Sequence, residues 1–372
     1  MRVIVVGAGI LGLAHAWAAA KRGHSVTVIE RSTRASGASI RNFGMVWPIG
    51  QMPGESLEIA LESRALWLEA TQAAGIWANP CGSMHVAYRE DEWNVLQEFA
   101  AQSSRLGYQC ELLQPTEVLK RTQAVRSQGL LGALFSHTEV CVNPPKTIRT
   151  LPGWLQEKYG VQFQFGTQVN SVDSSGVHLA TGVKLAADVT VVCSGSDFET
   201  LFPEILQSAG MRKCKLQMFK VALPAPGFRI GTHLASGLTL RHYKNFQVCA
   251  SLNQLKARIA AETPELDRYG IHVMASQNDA GEIILGDSHL YDDEIEPFDS
   301  DEIDALITRE LLRWLDLPQW KVVERWHGIY AKLDSGFVFE YEPIRDVFAC
   351  TGLGGSGMTM SFGIAERFWR SR

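Results

Sequence analysis

The sequence predicts an α/β chain built from a nucleotide-binding parallel sheet and a second, mainly antiparallel-sheet domain. Three observations carry this prediction. A strand, a glycine turn, a helix and a second strand occupy residues 1–30. A late strand runs into a dense glycine turn and a closing helix over residues 346–370. Between them, from Lys215 to about Leu290, lie short alternating apolar runs.

The first unit begins with the apolar run Val3-Ile4-Val5-Val6, which reads as a buried parallel strand. Gly7 permits the tight turn out of it, Gly9 allows a backbone to approach a pyrophosphate, and Gly12 allows close helix–strand packing. Ile10 and Leu11 open the helix, whose N-terminus favours an anion, and the helix extends to Lys21 before Gly23. The next strand, Ser25–Glu30, ends on an acid about twenty residues past the glycines, placed to hydrogen-bond a ribose hydroxyl. The whole is a Rossmann-like adenine-dinucleotide unit. Its three glycines argue against reading the apolar start as an export leader.

Composition narrows the remaining classes. The chain has 372 residues, enough for two connected domains, and a formal net charge of −5 with no basic stripe, which disfavours nucleic acid as a partner. No apolar stretch outside the first unit approaches membrane-spanning length. The seven cysteines are dispersed without a CxxC pair, so the sequence suggests neither a zinc site nor a disulfide framework. A reduced, cytoplasmic setting is the simplest expectation.

Along the chain, Arg31 to Ser39 forms a small-residue loop, and Ser39 and Asn42 offer hydrogen bonds to a phosphate or a ring. Helical spacing covers Leu57–Ala74 and Asp91–Gly107, and a short helix covers Thr116–Leu119. Leu130–Phe135 is strand-like. A helix opens at Pro144-Pro145 and is expected to kink or break at Pro152. Strands follow at Val161–Phe165, Val169–Val172 and Leu185–Cys193, the last ending in Ser194-Gly195. Ser300–Leu315 is an amphipathic helix with acids first and arginines last, and Lys321–Tyr330 is a strand. The resulting division assigns residues 1–80, 140–210 and 325–372 to the nucleotide domain, and 81–139 and 211–324 to the substrate domain.

The final segment points to the cofactor. A strand ending at Cys350 leads into Gly352, Gly354, Gly355, Ser356, Gly357, Met358 and Thr359, and then a helix. This repeats the anion-site geometry of the first unit at the far end of the chain. An NAD dehydrogenase needs no second site of this kind, whereas an extended FAD must be held at its flavin end as well.

These landmarks resemble, over nearly the whole chain, the FAD-dependent amine oxidoreductases of the D-amino-acid oxidase, glycine oxidase and sarcosine oxidase type. The resemblance implies that Glu30 and Arg31 lie at the adenosine end, that Ser39 and Asn42 face pyrophosphate or flavin, and that Val169 meets the adenine. It further implies that Ser194, Gly195 and the run from Gly352 to Thr359 line the flavin. Trp326-His327-Gly328 matches a family element that is usually followed by an arginine clamping a substrate carboxylate. Tyr330 stands there instead, and a phenol cannot make the bidentate ion pair. The stretches Ser36–Gln51 and Leu240–Tyr243 are similar to the subgroup associated with phosphonate degradation. That similarity implies 2-aminoethylphosphonate or its N-methyl derivative as substrate, with phosphonoacetaldehyde as product.

Arg241, Tyr243, Tyr330 and Lys332 are the candidate phosphonate ligands. His137, Trp47 and Gln51 are candidate walls of the amine pocket. The expected reaction moves a hydride equivalent from the carbon bearing the amine to flavin N5, and the imine then hydrolyses. Oxygen or another acceptor reoxidises the flavin. No residue is assigned as a catalytic acid or base. Two alternatives remain: an oxidase or dehydrogenase of a small amino acid such as glycine, sarcosine or a D-amino acid, and a non-catalytic flavin-binding protein.

Overall fold

The computed structural model describes residues 1–372. Strand Arg2–Val6 buries Val3, Ile4 and Val5, turns at Gly7, and delivers the chain into helix Ile10–Lys21. This helix is apolar nearly all round because it is covered on several sides, by the sheet and by helices Pro144–Tyr159 and Gly357–Arg370. The cofactor sheet has six strands, in the order Phe339–Ile344, Val347–Thr351, Val189–Val192, Arg2–Val6, Ser25–Glu30, Gln162–Phe165. All neighbours are parallel except the Phe339–Ile344 edge. Val3 lies opposite Val189, and Thr190 opposite Val347. One face packs on the helices through residues such as Val5, Leu13 and Trp17. The other is covered by a small antiparallel sheet, Val169–Asp173, Gly176–Leu179 and Lys184–Ala186, through Val177 and Leu179.

The second sheet has nine strands, centred on the long strand Met211–Val221, and is antiparallel except where His233–Ala235 runs parallel to Ser83–Ala87. Helices Glu90–Ser103, Leu252–Glu262 and Asp301–Leu312 share a core with it that includes Met84, Phe99, Phe219 and Leu285. A fourth sheet is formed by Met45–Val46, Val140–Val142 and Ala78–Asn79.

Three local expectations differ from the structure. The sequence division assigns residues from 325 onward, and with them most of strand Val322–Leu333, to the nucleotide domain. The strand instead pairs along its length with Met211–Val221, placing Tyr330 opposite Cys214. Twelve extended residues need a long partner, which the eleven-residue Met211–Val221 supplies; the far end still reaches the glycine turn through a Lys332–Leu353 bridge. The stretch between Lys215 and Leu290 also contains helices, because Leu252, Leu255 and Ile259 recur at helical spacing and are buried. Helix Pro144–Tyr159 continues through Pro152, anchored by the Asn143 cap and by buried Ile148, Leu151 and Leu155. No helix is long and apolar enough to cross a membrane.

Candidate active site

The carboxyl ends of the parallel strands converge on one elongated cleft of about 370 Å³, the position where open α/β sheets bind ligands. Its floor is the Gly7–Gly12 turn, and the helix beginning at Ile10 presents its N-terminus there. Ser39 Oγ accepts a hydrogen bond from Ile10 N at 2.9 Å, tying the small-residue loop to that helix start. Glu30 accepts from Ala8 N at 2.9 Å and from Ser32 N at 3.0 Å, so its carboxylate is oriented by two backbone donors. Arg31 pairs with Asp197 at 2.5 Å across the cleft mouth, joining the loops that follow two of the strands. Val169, Ser194 and Gly195 line the same cleft, as do Leu11, Gly352, Gly354 and Gly357.

The glycines divide into two kinds. A Cβ on Gly12 would lie 1.9 Å from Gly7 O, and one on Gly7 would lie 2.4 Å from Cys193 O. Those two are required by protein packing against protein. A Cβ on Gly355 or Gly357 would meet no protein atom within 4 Å, and one on Gly9 would meet only Ser39 Oγ. These positions are bare toward the cavities, which is the form of a cradle kept open for a ligand.

A second cavity of about 410 Å³ adjoins the first and shares Tyr330, Gly352, Leu353 and Gly354 with it. Trp47, Gln51, Tyr243, Tyr291 and Lys332 line it, and no arginine does. Lys332 Nζ donates to Tyr291 Oη at 2.9 Å, and burial lowers the lysine pKa. Gln51 Nε2 donates to Ser356 Oγ at 3.3 Å, and Tyr108 Oη donates to Gln51 O at 2.6 Å, so the Trp47–Gln51 turn is fixed from both sides. Its other anchor is buried Glu139, which accepts from Ile49 N at 3.0 Å. His242, His272, His289 and Asp287 form the far wall. Burial pushes Asp287 well above the usual carboxylate range and lowers all three histidines, His289 to about 3.

The family described as DAO, FAD dependent oxidoreductase, matches residues 2–368. The chain belongs to this family. FAD is accordingly its cofactor, and the cleft runs between the Gly7–Gly12 turn and the turn beginning at Gly352. Glycine oxidase of Geobacillus kaustophilus is 27% identical over 235 residues, 60% of this chain and 62% of that protein. D-amino acid dehydrogenase 2 of Mesorhizobium japonicum is 26% identical over 247 residues, 51% of this chain and 59% of that protein. The matched region thus spans about three-fifths of each of these relatives. Among solved structures, glycine oxidase from Bacillus cereus superposes with a TM-score of 0.79 at 17% identity, covering 100% of this chain and 94% of that one. Glycine oxidase from G. kaustophilus gives 0.78 at 22%, covering 100% and 95%.

Within this family frame, several sequence-predicted residues have different positions from those expected. Arg241 lines neither cavity. Its guanidinium is buried, bonded to Asp267 Oδ1, Leu238 O and Ile271 O at 3.0 Å each, so no donor is directed at a substrate. His137 sits at a distant surface, against Phe135 and 3.4 Å from Glu111, because it follows the end of an outlying strand. Thr359 is buried inside the closing helix, and its Oγ1 accepts from Trp47 N at 2.9 Å, which braces the second cavity without facing either. Asn42 does face the second cavity, but its amide bonds Ala38 O, Ser39 O and Gly44 N and so shapes its own loop. Gly355, Ser356 and Met358 line the second cavity, not the cleft. Tyr243, Tyr330, Lys332, Trp47 and Gln51 do come together there. Sequence reasoning missed Tyr291, Asp287 and the three histidines. The one available signal was a concentration of histidines within the alternating stretch.

Proposed function

We propose that this protein oxidises a small primary or N-methyl amine carrying an anionic end, with 2-aminoethylphosphonate or its N-methyl derivative as the substrate class. The observation that carries the reading is the second cavity, which meets the flavin end of the cleft at Tyr330 and Gly352–Gly354 and has a lysine–phenol pair but no arginine. FAD, when bound, supplies the two-electron acceptor for the carbon bearing the amine. The chain supplies position and environment. Lys332 Nζ and Tyr291 Oη meet a tetrahedral anionic group as separate donors, which suits a phosphonate better than the planar fork a carboxylate prefers. Trp47, Tyr243 and Met274 form an apolar wall that excludes water around the amine-bearing carbon. Tyr330 fills the position from which an arginine would select a carboxylate. The aldehyde would follow from hydrolysis of the imine.

The test is anaerobic reduction of the FAD-loaded enzyme by a panel of amines, read as loss of flavin colour. Fast bleaching by either aminoethylphosphonate, with slow bleaching by glycine, sarcosine and D-alanine, is expected. Glycine, sarcosine or D-alanine reducing the flavin faster than either phosphonate would make this a small-amino-acid oxidoreductase instead. No bleaching by any amine would leave a flavin-binding protein without this chemistry.

A further inference from the structure

We propose that His242, His272, His289 and Asp287 form a binding site for a divalent first-row metal ion at the far wall of the second cavity. One ligand atom from each of the three imidazoles lies within 4.8 Å of the others. A shell with metal–nitrogen bonds of about 2.0–2.1 Å separates ligand atoms by roughly 3–4 Å; the rings now lie face to face with centroids 3.8, 4.4 and 4.9 Å apart, so the imidazoles turn on binding to bring their lone pairs onto one point. Asp287 stands among them, with Oδ1 3.4 Å from His272 Nε2 and Oδ2 4.0 Å from His289 Nε2.

The hydrogen bonding leaves room for a cation among these atoms. His289 Nδ1 lies 3.2 Å from Gly270 O, and a carbonyl can only accept, so that nitrogen carries the proton. The lone pair on His289 Nε2 therefore faces a carboxylate oxygen. Both nitrogens of His272 and Oδ1 of Asp287 are buried with no hydrogen-bond partner. Neutral His272 has one N–H and one lone pair; with its Nε2 unprotonated, it and His289 Nε2 both present acceptors to Asp287, an arrangement that a cation satisfies. The Gly270 contact is also the kind of outer-shell bond that fixes a metal-ligating histidine in one tautomer. The backbone supports the same grouping, since His272 and Asp287 exchange both main-chain hydrogen bonds across adjacent segments.

Three imidazoles and a carboxylate suit zinc and its neighbours better than calcium or magnesium. The site opens onto the substrate cavity through His242 and His289. A coordination position facing that cavity would take an anionic oxygen of the substrate. This last step rests on the proposed function, while the metal site itself does not.

The experiment uses the full FAD-loaded chain, stripped with EDTA, exposed to Zn²⁺ and dialysed, with metal content and flavin absorbance measured together. Wild type is expected to retain about one ion per chain, and His242→Gln and His272→Ala to bind at least about tenfold more weakly while keeping their flavin. Wild type retaining no ion, or the same amount as His242→Gln with flavin intact in both, would overturn the site. Should His272→Ala fail to fold, His242→Gln at the cavity wall decides the matter. Metal retention without bleaching by any amine would leave the ion site standing and remove the substrate reading. Bleaching without metal would do the reverse.

Discussion

The hydroxyl of Tyr330 donates to the backbone carbonyl of Arg41 at 3.1 Å. This bond joins a strand of the antiparallel sheet to the small-residue loop that walls the cofactor cleft. Tyr330→Phe removes it, at a net value of about 0.5–1.5 kcal/mol. The FAD dissociation constant of the apoprotein is expected to rise about two- to tenfold, followed by flavin fluorescence quenching. An unchanged constant would show that the loop holds its position without the phenol.

Gly9→Val should purify colourless. A Cβ there approaches Ser39 Oγ at 3.1 Å, and the added methyls extend into the cleft. Circular dichroism should remain that of the wild type, because no backbone lies in the way. A yellow Gly9→Val protein with stoichiometric FAD would displace the pyrophosphate from this turn.

Lys332→Met should reduce selectivity for anionic amines. A charge-assisted contact is worth about 1.5–3 kcal/mol, so kcat/KM on an aminoethylphosphonate should drop roughly ten- to a hundredfold at about 1.4 kcal/mol per tenfold. The loss should lie mainly in KM. A neutral amine of the same length should be nearly indifferent. Equal losses on both would assign Lys332 to holding Tyr291 and the cavity wall.

Arg241→Met should affect stability, not substrate choice. Two backbone carbonyls, Leu238 O and Ile271 O, would lose their buried donor, costing about 1–3 kcal/mol each. Urea unfolding should show the deficit, while the ratio of phosphonate to neutral-amine turnover stays constant in the protein that folds. A change in that ratio would return Arg241 to the site.

Stability should fall as the solution becomes acidic. His85 is fully buried, both ring nitrogens lack partners, and burial lowers its pKa to about 3. Its unfolded value is 6.5, so below that pH the unfolded chain takes up a proton that the folded chain refuses. The contribution is present above pH 6.5 and is lost as pH falls toward 3, at no more than about 1.4 kcal/mol per pH unit. His85→Leu should flatten the dependence of unfolding free energy on pH across that window. An unchanged slope would show that His85 is protonated in the folded state.

The difference between Arg241 and His242 shows where sequence reading succeeds and where it stops. The Gly7–Glu30 unit could be read because its turn, its helix and its two paired strands are neighbours in the chain, and it forms as expected. The glycine turn at Gly352–Gly357 was equally readable, since its neighbours in space include its neighbours in the chain. Arg241 and His242 are adjacent in a short helical turn, and only the second faces the cavity. Which one does so depends on Asp267, in the helix Pro264–Arg268, and on Ile271 just after it, contacts distant in the chain that no local pattern specifies. His272 and His289 meet His242 for the same reason. Arg241 therefore contributes indirectly, by bonding the backbone of Ile271 beside His272.

The pairing of Val3 with Val189, and of Thr190 with Val347, sets an order of events during synthesis. Strand Arg2–Val6 has no partner on one side until Val189–Val192 has emerged, and the far edge of Val189–Val192 is covered only by Val347–Thr351. Such long separations slow the search for native contacts. The half-built sheet must meanwhile shield its open edge. The cleft's two ends come from the first and last strands, so the cofactor can be gripped at both ends only once nearly the whole chain is in place. Acquisition of yellow colour in a refolding experiment would then mark completion of the fold, not its beginning.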